Sequence, residues 1–285
     1  MVVLLVAAVL LLLHAQDARP LPDPDTFYAA VRENLARAQQ ATHLYAYKER
    51  RTDLHTNPFG RIGTGGTRVF EVHPAANSEL TYRRLVERND VPVGAEELAE
   101  QDGAYRRRVA EVERQSDRST ADERRRRAEE DTAARERARA MIDDVVDTLR
   151  FTLEGRVMHN GEEAIAIAFA PKPDARPRTR QGRLVQKFSG TIWVREADAE
   201  VMHVEARAVD SISYGLGIVA RLNEGTTATL TRRPVPGGVW MPTGLTLSGR
   251  GRAALFRRLV VDHSIEWFDY ARMDEPFTPP DSDSP

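Results

Sequence analysis

A chain of 285 residues whose 41 basic and 43 acidic side chains leave a formal net charge of -2 has no global field to draw nucleic acid or an acidic membrane to it. It contains no cysteine, which excludes disulfides, a thiolate nucleophile, cysteine metal sites and the cysteine-linked anchor of bacterial lipoproteins. The length suits one large domain or two small ones, and a single domain carrying a helical insert is expected.

Val2 to Leu13 is an unbroken apolar run, too short to span a bilayer of about 30 Å but suited to the core of a signal peptide. Cleavage is expected after Ala15, so residues 1–15 read as a leader and the mature chain as periplasmic, without a stable membrane anchor. No Lys or Arg precedes the apolar run, as one ordinarily does. Prolines at 20, 22 and 24 separate the leader from the first helix.

From Asp23 to Ala41, Phe27, Val31, Leu35 and Ala38 recur at three- and four-residue spacing behind a capping Asp23 or Asp25, the signature of an amphipathic helix. Three segments rich in aromatic and β-branched residues come next: 44–54, 61–73 and 79–89. They are separated by Asn57, Pro58 and Gly60, then by 74–77, and read as a strand meander. From Gly94 to Leu149 the composition turns to Ala, Arg and Glu. Two charged helices are expected there, over 95–117 and 120–149, with Thr120 and Glu123 as a capping box. Glutamates and aspartates match the arginines, so a solvated insert is favoured over a nucleic-acid arm.

Strands resume at Phe151. Phe151–Met158 and Ala164–Phe169 flank an Asn160-Gly161 turn, and Ala164, Ala166 and Ala168 bare one face, on which another element is expected to pack closely. Pro171 to Arg183 reads as a loop. In Lys187–Val209 two alternating runs, Phe188 to Arg195 and Met202 to Ala208, make a hairpin around Glu196 to Ala199. Gly217–Arg233 is next, with Asn223, Glu224 and Gly225 as its turn, then strands over Val239–Leu247 and Arg257–Tyr270. The tail, 274–285, has little to bury and is expected to be disordered. About ten strands joined mostly by short turns predict a mainly β, α+β fold: a curved antiparallel sheet forming an incomplete β-barrel over residues 23–270, with an N-terminal helix and the helical insert 95–149.

The opening of the charged segment, ERNDVPVGAEELAE, the pattern Phe188-x-Gly190-x-Ile192-Trp193-Val194, the alternating hairpin after it and Val239-Trp240-Met241-Pro242 resemble the bacterial outer-membrane lipoprotein-sorting proteins of the LolA/LolB type. The resemblance is strongest over Phe151–Tyr270, and Glu196 and Asp198 partly keep the family's acidic residue after the tryptophan strand. It implies an incomplete barrel whose apolar face, closed by helices, carries acyl chains of lipoproteins or other lipids. The long helical insert departs from the small sorting carriers.

No pair among the seven histidines has the helical spacing that binds zinc. His203 and Glu205 share a strand face, and Asp262 and His263 sit on another strand, the elements of an acid–base or metal site if they met. The GTGGT run at Gly63, Gly65 and Gly66 lacks the lysine and hydroxyl of a phosphate loop, and neither a nucleophile elbow nor a dinucleotide turn occurs. A non-enzymatic protein without a cofactor is therefore expected, with a periplasmic hydrolase using His203, Glu205 or His263 as the lesser alternative. Trp193, Trp240 and Trp267 fit either a barrel core or, with Tyr45, Tyr82, Leu85, Met202 and Met241, the lining of an apolar cleft. Trp193 is the one assigned to the core. The expected partner is a lipid or acyl chain, and the alternative is an envelope adaptor that engages a protein through its charged helices.

Overall fold

In the computed structural model the chain is described over residues 19–56, 62–75, 77–118, 143–214, 220–253, 257–275 and 277, with positions 120, 125, 126, 129, 132, 133, 136 and 140 between. The expected leader, the turn at 57–60, Glu123 of the expected capping box and most of the tail lie outside the described residues.

Helix α1 (Pro24–Ala41) starts where the sequence says it should: Asp23 accepts from the Thr26 amide at 3.0 Å, and Pro24 opens the first turn with no amide to waste. Strands β1 (Tyr45–Thr56), β2 (Ile62–His73) and β3 (Tyr82–Arg88) form the expected meander, extended by the two-residue β4 (Val91–Pro92). Helix α2 (Ala95–Arg118) is the first half of the charged insert; residues 143–148 are again helical. Then come β5 (Leu149–His159), β6 (Glu162–Pro171), the short α3 (Arg180–Val185), β7 (Phe188–Arg195) and β8 (Glu200–Ala208). The chain continues through β9 (Ile212–Tyr214), β10 (Ala220–Leu222), β11 (Thr227–Pro234), β12 (Trp240–Ala253) and β13 (Arg257–Arg272). Asn160 and Gly161, both at positive φ, close the β5–β6 hairpin as a two-residue turn, the backbone conformation that an Asn-Gly pair favours.

All pairings are antiparallel, and the sheet runs β4-β3-β2-β1-β13-β12-β11-β8-β7-β6-β5. Among the described residues its ends, β4 and β5, do not pair, so the sheet stays open rather than closing into a barrel. Sequence neighbours are not always sheet neighbours: β1 pairs with β13, and β8 with β11, so the two ends of the described chain meet in the middle of the sheet. Two expectations need correction. Asn223–Gly225 is not a hairpin turn, because β10 pairs with β12 and β9 while β11 pairs with β8 and β12. The loop after β6 ends in a helix, α3, because Thr179 caps it through a 2.9 Å bond from the Gly182 amide. Asp144 fixes that cap by accepting from the Arg178 and Thr179 amides at 2.9 and 2.8 Å and from the Thr179 hydroxyl at 2.6 Å.

Residues paired across an antiparallel ladder share a face. One face is packed by α1: Phe27, with Tyr28, Ala30 and Val31, lies on Ile165, Ile167, Val194 and Val201. Buried Asn34 holds the helix there by donating to the Asp198 and Ala199 carbonyls at 2.7 and 3.1 Å. Helix α2 packs on the other face, at β3. Tyr105 lies 4.4 Å from the Tyr82 ring, Asp102 accepts from the Tyr82 hydroxyl and from Arg84, and Phe277 stacks on Tyr82 and His73. Gln101 bonds both the amide and the carbonyl of Leu85, covering a strand edge that would otherwise be free to pair.

Candidate functional site: an aliphatic row that ends in arginines

The register places one side chain from each of seven strands in a continuous row on the α1 face: Leu153, Ile167, Ile192, Val204, Leu230, Leu245 and Ile265. At about 4.8 Å per strand the row is roughly 29 Å long. Leu153, Ile192 and Val204 pack against the cluster under α1. Leu230 and Leu245, further along, are only half-buried.

Beyond Ile265 the same row changes character. Ile265 pairs with Arg51, Arg51 with Arg68 and Arg68 with Arg88. The adjacent row on this face is Trp267, Glu49, Phe70 and Leu85. Glu49 is 3% exposed and accepts from Arg51 Nε, from a terminal guanidinium nitrogen of Arg83 and, at 3.0 Å, from Trp267 Nε1. Burial pushes its carboxyl up, but the Arg51 hydrogen bond, the Arg83 and Arg51 charges and the Trp267 N–H outweigh burial and leave it below the ordinary value. The Arg83 guanidinium lies 4.1 Å from the centre of the Phe70 ring. The face is thus aliphatic over β5–β13 and basic with aromatic neighbours over β1–β3.

The eight cleft candidates do not line one surface. Leu85 and Trp267 fall in the row beside the arginines. Tyr45 is buried, donating its hydroxyl to the Pro236 carbonyl at 2.9 Å, and Met241 is fully buried. Tyr82 lies under α2 on the opposite face. Met202, Trp193 and Trp240 cluster with Ala164, so the space beside the bare alanines is filled by large side chains. Trp193, half-buried, stacks with His159 at 5.0 Å and tilts against His203 at 5.4 Å, while Arg195 covers Trp240 at 4.9 Å.

That second cluster contains the histidine of the possible acid–base site. His203 Nδ1 lies 3.1 Å from the Thr231 hydroxyl and Nε2 lies 3.3 Å from Glu205 Oε1. Burial, then the neighbouring His203, lowers the pKa of His159. His263 does not join them: it pairs with Leu247 on the α1 face, whereas His203 pairs with Trp193 and Thr231 on the other. Asp262 lies on β13, separated from β8 by two intervening strands, β12 and β11. Among the described residues no group of three or more His, Asp or Glu could hold a metal ion. A groove of about 660 Å³ also opens beside Arg50, Thr231, Thr246 and Glu266.

Sequence alternation identifies each strand's apolar positions, including Val204 and Leu247. Leu230 and Ile265 become row members only through register, and Glu49 and Arg51 carry no local signal separating them from ordinary surface charge.

No helix among the described residues is long and apolar enough to cross a membrane. Neither a protein-family model nor a curated protein matches the chain. Among solved structures it is similar to a DUF1329 family protein from Desulfovibrio piger, with 14% identity, coverage of 87% of this chain and 93% of that chain, and a TM-score of 0.32. It is similar also to a putative outer membrane lipoprotein-sorting protein domain from Vibrio parahaemolyticus, with 9% identity, coverage of 86% and 92%, and a TM-score of 0.31. A third likeness is to the MucA/MucB complex of Pseudomonas aeruginosa, with 7% identity, coverage of 87% and 100%, and a TM-score of 0.22. The second bears the description that the residue pattern of Phe151–Tyr270 resembles. With TM-scores this low the likenesses add no weight to a function, which has to come from this chain's own residues.

Proposed function

We propose that this chain is a non-enzymatic carrier or binding protein for a lipid or acyl chain in the bacterial cell envelope. The leader 1–15 is removed on export, and the unit 23–270, with its insert 95–149, does the binding. The observation that carries this reading is the row from Leu153 to Ile265: α1 packs against its β5–β8 end, while Leu230 and Leu245, side by side, are only half-buried. Apolar surface gains about 25 cal/mol per Å² on leaving water, so an acyl chain laid along these residues is bound without any hydrogen bond. An adaptor acting through α2 is the rival. Its exposed charges are partly used within the helix, where Arg114 bonds Glu111 at 2.8 Å and Gln115 bonds Glu111 at 2.9 Å.

The test is native mass spectrometry of protein purified from an envelope fraction, together with uptake of an apolar naphthylamine dye by the delipidated protein. Bound lipid, and dye fluorescence weakened by Leu230→Asn, are expected. Absence of both bound lipid and dye uptake in the wild type would overturn the reading.

A further inference from the structure

The arginines at the end of the aliphatic row are hard to explain as packing. Arg51, Arg68 and Arg88 lie directly opposite one another on three adjacent strands. Like charges in facing positions of a sheet destabilise it. Arg88 bonds Glu97 at 2.8 Å. Glu49 serves both Arg51 and Arg83 while also accepting from Trp267, so two guanidinium groups share one carboxylate. The Arg51 and Arg83 side chains remain 39% and 34% exposed, within reach of an incoming anion.

Resting on the carrier reading, we propose that the ligand is an anionic phospholipid, its acyl chain laid over Leu245 and Leu230, between buried Ile265 and the helix-packed Val204, and its phosphate received by Arg51 and Arg83 beside Arg68. The geometry fits one molecule: Arg51 and Leu245 are two strand spacings apart, about 10 Å, with aliphatic Ile265 between them, so a headgroup at the arginines places its chain on Leu245 and Leu230. Guanidinium forks match phosphate oxygens in pairs, which a lone ammonium does not do. Glu49 then has a definite role. It holds Arg51 and Arg83 in place on the face and tempers a repulsion that the bound phosphate relieves.

The experiment titrates the chain with short-chain phosphatidylglycerol and phosphatidylcholine of identical acyl length, below their micelle concentrations. The fluorescence of Trp267, which donates to Glu49, is a reporter beside the arginines. Phosphatidylglycerol is expected to bind at least tenfold more tightly at low salt, with the ratio shrinking severalfold in half-molar salt because the contact is electrostatic. In Arg68→Gln/Arg83→Gln, which leaves Arg51 to neutralise Glu49, the ratio falls to within about twofold. Should that variant fail to fold, Arg83→Gln alone, with an expected severalfold drop in the ratio, and the salt series decide the matter. Equal affinity for the two lipids in the wild type, or a ratio unchanged by both salt and substitution, overturns the anionic-headgroup inference while leaving the carrier reading standing. Absence of any lipid or dye binding removes both.

Discussion

Glu49→Gln should move stability and anion affinity in opposite directions. The carboxylate is buried and accepts from two guanidinium groups and an indole N–H. Removing one partner of a fully buried ion pair costs about 3–5 kcal/mol. Here the arginine side chains are 39% and 34% exposed, so water screens part of the loss, and the retained amide oxygen still accepts one bond. About 2 kcal/mol is the reasonable figure, which for a domain of this size lowers the thermal midpoint by roughly 4–8 °C. The same change leaves Arg51 and Arg83 without their shared carboxylate, and affinity for phosphatidylglycerol should rise about three- to tenfold at low salt. Circular dichroism melts of the ligand-free protein and the lipid titration read the two effects separately. An unchanged midpoint would mean that Glu49 is not the anchor of the arginines. A loss of anion affinity alongside stability would mean that the patch is purely structural.

Gly190 on β7 faces the Glu205 carbonyl so closely that an added Cβ would lie 1.9 Å from the oxygen and 2.9 Å from Phe169 Cζ; Gly190→Ala should cost about 3 kcal/mol in urea unfolding, since backbone has to move. Trp193→Ala, in a ring already partly open to solvent, should cost about 2 kcal/mol rather than the 3–5 of a fully buried aromatic, as measured by the shift in thermal midpoint. Burial and His203 hold the folded pKa of His159 below its ordinary 6.5, so below that value the unfolded chain binds the extra proton first. Its stability contribution should therefore fall as pH drops through 6.5, and His159→Gln should flatten that part of the urea-midpoint profile. The Thr179 hydroxyl and the Arg178 and Thr179 amides take the Asp144 carboxyl from 3.8 down to about 2, so its contribution is intact above about pH 4 and lost as pH falls towards 2. An acid-unfolding limb that Asp144→Asn leaves unshifted would refute that coupling.

The sequence by itself determined the features that depend on neighbours a few residues apart. Period-two alternation in Phe188–Arg195 marks β7, Asn160-Gly161 marks a turn that needs two positive φ angles, and Asp23-Pro24 marks the start of α1, because each signal is spent within one strand, turn or helix end. The resemblance to lipoprotein-sorting proteins likewise rests on short motifs, each a few residues long: the opening of the charged segment, the β7 pattern and its hairpin, and Val239–Pro242. Tertiary structure alone decided which strands lie side by side. Nothing local says that β1, besides its hairpin with β2, pairs with β13, or that β10 leaves β11 for β12. The proposed site depends on those pairings: Arg51 adjoins Ile265, and Trp267 reaches Glu49, from opposite ends of the described chain. A slip of one residue in that register would send every side chain of the strand to the opposite face, which is why the half of the face that is aliphatic and the half that is basic become one surface only in the folded sheet.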